Sequence, residues 1–336
     1  MKTTTYLVFL GFCIACGHSE CPIQLNPSTV VVRHGHSAFA NCTATEEHYG
    51  MGWEASQGGT EGLTTLNSVL WEVENLTDWN TSPMCFVNLK SRQCMKNLNV
   101  TIYKYPDSVS LQSPDSRGQM VENTRYRLVC DVQNVAPLRL LTIKLYKGQL
   151  EIRNSTYSDN DIKTPESKQL VVPVSPRRGD EGALYRCKAI LNLGPDGPQP
   201  PAVVQSEPFK ITVQYVPEIL HQPQIAGILA GADVFFNCTA TGNPVPSIEW
   251  KHGPAKNVQI QTSGAVSVLR ISAVTENQAG NYTCIAKNSL GETREVFTLT
   301  VSRGGATKGV VTVGIIAGLL VLVLFVVVGY IIFKRR

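Results

Sequence analysis

The chain has 336 residues, which is more than one small domain needs and suits two or three domains. Charged residues make up 17% and hydrophobic residues 43%, which excludes a disordered chain and one embedded wholly in a membrane. The net charge is +4, and three of the positive charges belong to the last three residues, Lys334, Arg335 and Arg336. This charge gives no indication of nucleic-acid binding.

Residues 1–20 have the pattern of a secretory signal peptide. Lys2 supplies an early positive charge, an apolar stretch covers residues 6–16, and small residues follow it. Cleavage near this point would remove Cys13 and Cys16 and would expose the rest of the chain to an oxidising compartment, which favours disulfides.

Eight cysteines then remain, and six of them form pairs that repeat along the chain. The members of each pair are 43, 57 and 46 residues apart, in the order Cys42–Cys85, Cys130–Cys187 and Cys238–Cys284. One pair in each period of ~100 residues, with alternating strand patterns between turns, is typical of tandem immunoglobulin sandwiches. We therefore predict an all-β fold of three tandem immunoglobulin-like β-sandwiches plus one C-terminal transmembrane helix. The predicted boundaries are 1–20 (signal), 21–104, 105–214 and 215–301 (domains), 302–309 (stalk), 310–333 (transmembrane helix) and 334–336 (cytoplasmic tail).

The first domain has four cysteines, which allow three pairings. Strand topology favours Cys42 on strand B with Cys85 on strand F, which leaves Cys21 with Cys94. Cys21 precedes strand A and Cys94 ends the F–G loop, so both lie at the same end of the sandwich. A Cys21–Cys94 disulfide would connect the N-terminus to the outermost loops. It would stiffen a binding surface, stabilise a domain with a short cysteine interval, or do both.

The second and third domains carry further markers of this fold. Trp250 follows the first cysteine of its pair by twelve residues, as a strand C core tryptophan does, and Tyr282 precedes Cys284 by two, as in a tyrosine corner. Gln278 replaces the usual aspartate at this corner, so one supporting hydrogen bond is uncertain. The second domain keeps the corner tyrosine as Tyr185 and has Leu145 at the tryptophan position, where leucine can also fill the core.

The C-terminal part predicts a type I plasma-membrane protein with its N-terminus outside the cell. Residues 310–333 are 24 residues without a charged side chain, which is enough to span a bilayer, and the basic residues 334–336 follow on the cytoplasmic side. Gly304 and Gly305 leave a lipid-anchor signal open as the rival interpretation, although the basic end disfavours it. Gly314 and Gly318 form a G-x-x-x-G motif that would allow a homodimer.

Three smaller motifs occur elsewhere in the sequence. Arg178-Gly179-Asp180 is a tripeptide that some integrins bind, but its place at a predicted E–F turn favours turn chemistry. His34 and His36 lack a third ligand and are better explained as surface residues than as a metal site. Seven Asn-X-Ser/Thr sequons indicate N-glycosylation, at Asn41, Asn75, Asn80, Asn99, Asn154, Asn237 and Asn281.

The sequence contains no nucleophile paired with a base, no phosphate-binding glycine loop and no cluster of metal ligands in a convincing context. We therefore predict that the chain is not an enzyme and has neither a cofactor nor an intrinsic metal site.

The segments NTSPMCF, around Cys85, and LWEVENLTDW, before it, resemble the E–F region of the first domain of the intercellular adhesion molecules. NVAPLRLLTIKLYKG resembles the second domain of that family, and the vascular cell adhesion molecules are the neighbouring family. The similarity covers residues 21 to ~214. The first domain departs from the family in lacking paired C-x3-C motifs and in having Trp53 where a smaller residue is usual.

In this family an acidic residue near the end of strand C of the first domain completes the coordination of a metal ion held by an integrin. The segment GMGWEASQGG places Glu54 at the matching position. A carboxylate is a hard oxygen ligand for the Mg²⁺ that the integrin would supply. The resemblance therefore implies a leukocyte-integrin-binding adhesion molecule. The alternatives are that Glu54 is an ordinary exposed strand residue and that the chain binds an immunoglobulin-like partner through its sheet faces.

Overall fold

The computed structural model describes residues 21–220, 227–254 and 256–303. The predicted signal peptide, transmembrane helix with its Gly314 and Gly318, and cytoplasmic tail lie outside these residues. Within the described ranges, no helix has the length and apolar character needed to span a membrane. The chain divides into two compact units, residues 1–213 and 214–336.

The first sandwich consists of two three-stranded sheets, β1-β3-β5 and β4-β6-β7, and a parallel pair, β2-β8. β4 is paired with β6 alone in its sheet, so its other edge is left to the segment that follows it. The strands are β1 (Ile23–Asn26), β2 (Thr29–Arg33), β3 (Ala38–Ala44), β4 (Gly50–Glu54), β5 (Ser68–Val73), β6 (Met84–Asn88), β7 (Gln93–Asn97) and β8 (Asn99–Tyr103).

The second sandwich completes the first compact unit. Its sheets are β14-β11-β9 and β13-β12-β15-β16, and β17 also pairs with β15. The strands are β9 (Ser108–Gln112), β10 (Gln119–Val121), β11 (Tyr126–Val135), β12 (Leu141–Lys147), β13 (Leu150–Thr156), β14 (Glu166–Val174), β15 (Leu184–Leu191), β16 (Ala202–Gln205) and β17 (Phe209–Lys210), with 3-10 helices at Leu138–Leu140 and Arg178–Asp180.

The third sandwich forms the second compact unit. β20 pairs with β18 and β23, β23 pairs with β22, and the facing sheet is β21-β24-β25. The strands are β18 (Thr212–Ile219), β19 (Ile228–Leu229), β20 (Val234–Asn243), β21 (Ser247–Lys251), β22 (Val258–Ser263), β23 (Val266–Ile271), β24 (Gly280–Asn288), β25 (Gly291–Leu299) and β26 (Val301–Ser302), with a 3-10 helix at Glu276–Gln278.

Each sandwich places one large side chain opposite its second cysteine. Trp53 pairs with Cys85, Leu145 with Cys187, and Trp250 with Cys284. Leu145 is fully buried, so leucine does occupy the tryptophan position of the second core. Because side chains alternate across a strand, each of these residues faces the disulfide while its neighbours face outward.

The tyrosine corner predicted for the third sandwich is present. The Tyr282 hydroxyl donates a hydrogen bond to the Gln278 carbonyl oxygen at 2.9 Å. The Gln278 side chain in turn accepts the Thr275 N–H at 2.9 Å, so the supporting hydrogen bond is kept without the usual aspartate.

One disulfide joins the two sheets of each sandwich: Cys42–Cys85 in the first, Cys130–Cys187 in the second and Cys238–Cys284 in the third. The predicted Cys21–Cys94 disulfide is not formed, and both residues are thiols in this structure. The two residues nevertheless pack in the same core, that of the first sandwich. Strand topology dictates which cysteines meet, whereas a covalent bond also requires loss of two electrons, which topology does not determine.

The Tyr282→Phe substitution removes the corner hydrogen bond without changing the packing of the ring. We expect the third sandwich to lose about 1 kcal/mol of stability. Amide hydrogen exchange along β24, measured for the most protected sites, should accelerate about fivefold. Tyr49→Phe is the control, because the exposed Tyr49 has no side-chain hydrogen bond among the described residues. Unchanged β24 exchange in Tyr282→Phe would show that the corner contributes nothing.

Candidate functional site

Glu54 is the last residue of β4 and faces solvent. Trp53, immediately before it, is buried at 1% exposure and donates its indole N–H to the Val69 carbonyl at 3.0 Å. The indole therefore fixes the inward side of β4, and the period-two alternation of the strand turns Glu54 outward. No other described residue forms a hydrogen bond or an ion pair with the Glu54 carboxylate, so its oxygen atoms remain available to an external ligand.

The outer face of the β4-β6-β7 sheet places Glu54 in a row of three residues. Strand pairing aligns Glu54 with Met84 and, across β6, with Asn97. The next outward-facing row consists of Gly52, Phe86 and Met95, of which Met95 is 52% exposed. The Glu54 carboxylate thus lies at the end of a partly apolar sheet face. We call this surface the Glu54 face, and it consists of Glu54, Met84, Asn97, Gly52, Phe86 and Met95.

The turn after Glu54 is fastened first to β4 itself. The Trp53 N–H donates to the Thr60 hydroxyl at 2.9 Å, and the Thr60 N–H donates back to the Trp53 carbonyl at 3.0 Å. Farther along, Thr64 and Met51 form an isolated antiparallel bridge. The segment therefore lies along the open edge of β4 and satisfies backbone groups that would otherwise remain unpaired.

Gln57 fastens the same turn to the segment between β5 and β6. Its side-chain oxygen accepts the N–H groups of Thr77 at 3.0 Å and Asp78 at 2.9 Å. Its backbone carbonyl accepts the indole N–H of Trp71 at 2.9 Å. One residue thus joins the turn to two separate parts of the domain.

Asp78 forms the second half of this connection. Its carboxylate accepts hydrogen bonds from the Ser56 hydroxyl and, at 3.0 Å, from the Asn80 N–H. The hydrogen bonds from Ser56 and Asn80, with a smaller contribution from the positive charge of Lys163, hold the pKa of Asp78 below its ordinary value. The carboxylate that anchors the turn is therefore ionised at neutral pH.

The sequon asparagines of the first domain lie outside the Glu54 face. Asn41 lies on the outer side of the opposite sheet, where it is half-buried and accepts the Ser68 hydroxyl at 2.7 Å. Asn75 and Asn80 are exposed between β5 and β6, and Asn99 is exposed at the start of β8. None of the residues that make up the Glu54 face is the asparagine of a sequon. Asn80 is connected to the turn after Glu54 through Asp78, whose carboxylate accepts both the Asn80 N–H and the Ser56 hydroxyl.

The Arg178-Gly179-Asp180 tripeptide forms a 3-10 helix and is engaged within the second sandwich. Asp180 accepts the Arg177 N–H at 2.9 Å and forms an ion pair with Lys147, while Arg178 pairs with Glu122 at 3.0 Å. Burial raises the pKa of Asp180, but the hydrogen bonds from Lys147 and Arg177 outweigh burial and lower the pKa below its ordinary value of 3.8. The tripeptide thus has the turn chemistry that was favoured from its position.

His34 and His36 do not come together as metal ligands. The His34 ring stacks on Trp79 with ring centroids 4.4 Å apart, and its Nε2–H donates to the Thr77 carbonyl at 3.2 Å. His36 donates through Nδ1 to the His34 carbonyl at 3.3 Å. No group of three or more potential metal ligands occurs among residues 21–220, 227–254 and 256–303.

The sequence predicts Glu54 as a site residue but does not predict the residues that position it. The sequence has a glutamine at 57 and an aspartate at 78, but nothing in their spacing indicates that both hold one turn. The outward position of Met84 was predictable, because Met84 directly precedes the buried Cys85 on a strand and side chains alternate between the two faces. Thr60 gave no signal that distinguishes it from an ordinary loop threonine.

The disulfide-centred sandwiches define a chain of immunoglobulin-like domains. The family model of the intercellular adhesion molecule N-terminal domain matches residues 18–108, and that of the immunoglobulin I-set domain matches residues 217–301. Vascular cell adhesion protein 1 of Homo sapiens is 24% identical over 244 residues, covering 72% of this chain and 32% of that protein. Intercellular adhesion molecule 1 of Rattus norvegicus is 27% identical over 193 residues, covering 57% and 34%.

These matches confirm that the chain resembles the intercellular and vascular cell adhesion molecules of the immunoglobulin superfamily. It spans about a third of the length of these curated relatives.

Among solved structures, the four-domain ectodomain fragment of ICAM-5 matches with a TM-score of 0.50 at 20% identity, covering 84% of this chain and 76% of that one. The I67–I69 fragment of titin matches with a TM-score of 0.51 at 19% identity, covering 82% and 95%. These structural matches show the immunoglobulin-like fold alone, since they include proteins with quite different names.

The Gly58→Ala substitution should loosen the turn behind Glu54. Gly58 has φ +74°, and a Cβ there would lie 2.7 Å from the Glu72 carbonyl oxygen. We expect a loss of about 1–3 kcal/mol from backbone strain, seen as faster amide exchange over residues 55–60. Gly62→Ala is the matched control, because a Cβ at Gly62 has no atom within 4 Å. Equal exchange in both variants would contradict the packed role of Gly58.

The Asp180→Asn substitution should destabilise the second sandwich in a pH-dependent way. Because folding lowers the pKa of Asp180, its stabilising effect is fully present above the carboxyl's ordinary pKa and is lost as the pH falls through the lowered value. We expect about 1 kcal/mol of destabilisation at pH 7, measured by exchange of β15 amides, and a difference that shrinks toward pH 3. Asp161→Asn, at an exposed residue, should have no effect. A difference that grows on acidification would contradict this assignment.

Proposed function

We propose that this chain is a type I plasma-membrane adhesion molecule that binds an integrin on an opposing cell through Glu54. In this proposal a carboxylate oxygen of Glu54 completes the coordination of a Mg²⁺ ion that the integrin holds. The membrane span would be residues 310–333, and the chain would contribute no cofactor of its own. The observation that carries the proposal is the carboxylate itself: it is exposed, has no partner among the described residues, and ends a sheet face without a sequon.

The surroundings of Glu54 support a ligand role more than that of an ordinary exposed glutamate. The turn that follows is fixed by Thr60, Gln57 and Asp78, so the carboxylate is presented from a backbone that loses little freedom on binding. Met84 and Met95 lie beside it and offer apolar contact area to a partner surface. The resemblance to the intercellular adhesion molecules, which share the N-terminal domain, supports an integrin as the partner class.

A second candidate function uses the same face without the metal. Met95 is 52% exposed and Leu63 is 60% exposed. Gly50 and Gly52 are buried, with Leu63 packed over Gly50 and with Thr60 and Phe86 over Gly52. A flat, partly apolar sheet face of this kind could pack against an immunoglobulin-like partner. In that case the Glu54 charge would contribute little, and binding would not require a divalent cation.

The Glu54→Gln substitution separates the two candidates. A neutral amide cannot replace a carboxylate on Mg²⁺, so adhesion of integrin-bearing leukocytes to the full chain should fall at least about 30-fold, or roughly 2 kcal/mol. A chelator should reduce adhesion of the unchanged chain to the same level. Glu72→Gln is the control, since Glu72 is exposed on the opposite sheet of the same domain.

Adhesion that survives both Glu54→Gln and chelation would refute the integrin mechanism and favour the sheet-face partner. Adhesion lost equally in Glu54→Gln and Glu72→Gln would also contradict it, because a general loss of charge would then be responsible.

A further inference from the structure

Cys21 and Cys94 form a thiol pair at the edge of the sheet that carries Glu54. β7 is an edge strand whose sheet partner is β6. Cys94 lies on β7 and faces inward, where it is buried at 2% exposure, whereas Cys21 precedes β1 and is half-buried. Both side chains pack in the core of the first sandwich, and the Cys94 thiol is close enough to Cys21 for its pKa to be affected.

Two further contacts hold the N-terminal segment against β7. The Ile23 N–H donates to the Cys21 carbonyl at 2.8 Å, which forms a tight turn before β1. The Lys96 ammonium, two residues beyond Cys94, donates to the Ile23 carbonyl at 3.1 Å. The chain at Cys21 is therefore placed beside Cys94 by backbone and side-chain contacts that do not involve sulfur.

Cys21 differs in accessibility from the other cysteines that the structure describes. All six cysteines of the three disulfides are fully buried, with 0% exposure. Thiol–disulfide exchange requires a thiolate to reach a sulfur atom, so a small thiol can approach Cys21 but not these six without unfolding. Accessibility therefore makes Cys21 the most reactive of the described cysteines, with the Cys94 thiol beside it.

We propose that Cys21 and Cys94 are a reversible thiol–disulfide pair that controls how firmly β7 is held at the edge of the Glu54 face. The oxidant is a small disulfide such as oxidised glutathione. The Cys21 thiolate attacks one of its sulfur atoms and releases one thiol, leaving a mixed disulfide on Cys21. The Cys94 sulfur then gives up its proton to solvent, attacks the Cys21 sulfur and releases the second thiol.

The two steps together convert two protein thiols and one small disulfide into one protein disulfide and two small thiols. Reduction runs in reverse, with an incoming thiolate attacking the accessible Cys21 sulfur and Cys94 leaving. Burial raises the pKa of the Cys94 thiol, and its hydrogen bond with Cys21 and the negative charge of Glu46 act in the same direction. Cys94, which is buried, is the resolving member, and the more accessible Cys21 is the attacking member.

Oxidation should tighten β7, whose residues Met95 and Asn97 belong to the Glu54 face. After reduction, β7 and the N-terminal segment are still joined by the hydrogen bond from Lys96 to the Ile23 carbonyl. The chemistry of the pair stands without the proposed function. Its consequence for adhesion rests on that function.

The test titrates the full chain, displayed on cells, with a phosphine reductant under native conditions. Free thiols are alkylated with a light reagent, and the remaining cysteines are then reduced and alkylated with a heavy one. Mass spectrometry should show Cys21 and Cys94 becoming light-labelled at a reductant concentration at least tenfold below that needed for Cys42 and Cys85. Oxidised glutathione should reverse the labelling of the pair.

Labelling of Cys21 and Cys94 only together with the buried six would overturn the proposal. So would a pair that stays fully light-labelled after treatment with oxidised glutathione, because the disulfide would then not form.

Hydrogen exchange provides the structural measurement. Mild reduction should accelerate exchange of the β7 amides, residues 93–97, at least threefold in the unchanged chain. The Cys21→Ser/Cys94→Ser double variant should exchange at the reduced rate with or without reductant. Equal β7 exchange in the oxidised and reduced chains would refute the control of this strand.

Adhesion is measured last, on the same samples. If Glu54→Gln lowers adhesion and mild reduction also lowers it in the unchanged chain but not in the double variant, the pair regulates the proposed site. If Glu54→Gln has no effect, the proposed function fails, and the labelling and exchange results still decide the thiol–disulfide pair.

Discussion

Trp53 holds β4, the strand that carries Glu54, from inside the first sandwich. Its indole lies in the core opposite Cys85, and the N–H of the ring is satisfied by the Val69 carbonyl. A buried indole of this size cannot turn outward without opening a large cavity and leaving a carbonyl unpaired. Because strand side chains alternate with a period of two, this one contact also determines that Glu54 points to solvent.

Rigidity of the segment after Glu54 is the second requirement for a carboxylate that recruits a metal ion. An exposed glutamate on a mobile loop would lose backbone freedom on binding, which weakens affinity. Here the loop is joined to β4 through Thr60 and to the segment before β6 through Gln57 and Asp78. These polar contacts hold the loop along the edge of β4, where a neighbouring strand would otherwise be needed.

Spacing and local chemistry were enough to predict the features that repeat. The disulfides of all three sandwiches, the leucine in the second core and the tyrosine corner in the third follow from position relative to a cysteine. Glu54 was predicted from the family resemblance together with its place after Trp53. All of these depend on strand period or on short sequence distances, which the amino-acid sequence shows directly.

The features that could not be predicted depend on contacts between distant residues or on chemical state. Gln57 accepts two backbone N–H groups from residues 20 and 21 positions away, and no local pattern marks a glutamine for this task. Gln278 keeps a hydrogen bond at the third-sandwich corner that an aspartate usually makes, because its longer side chain still reaches the Thr275 N–H. The oxidation state of Cys21 and Cys94 is a property of the surroundings as well as of the fold.

Two carboxylates, Asp180 and Glu54, show why the sequence motif alone is a poor guide to an integrin contact. Asp180 belongs to a known integrin tripeptide, yet its oxygen atoms already accept the Arg177 N–H and pair with Lys147. A metal ion would have to displace both, and the loss of those contacts would offset the gain from coordination. Glu54 belongs to no such tripeptide, but its oxygen atoms have no competing partner among the described residues. Under the proposed function, Glu54 is therefore the better ligand for the integrin's metal ion, because coordination there would displace no existing contact with a described residue.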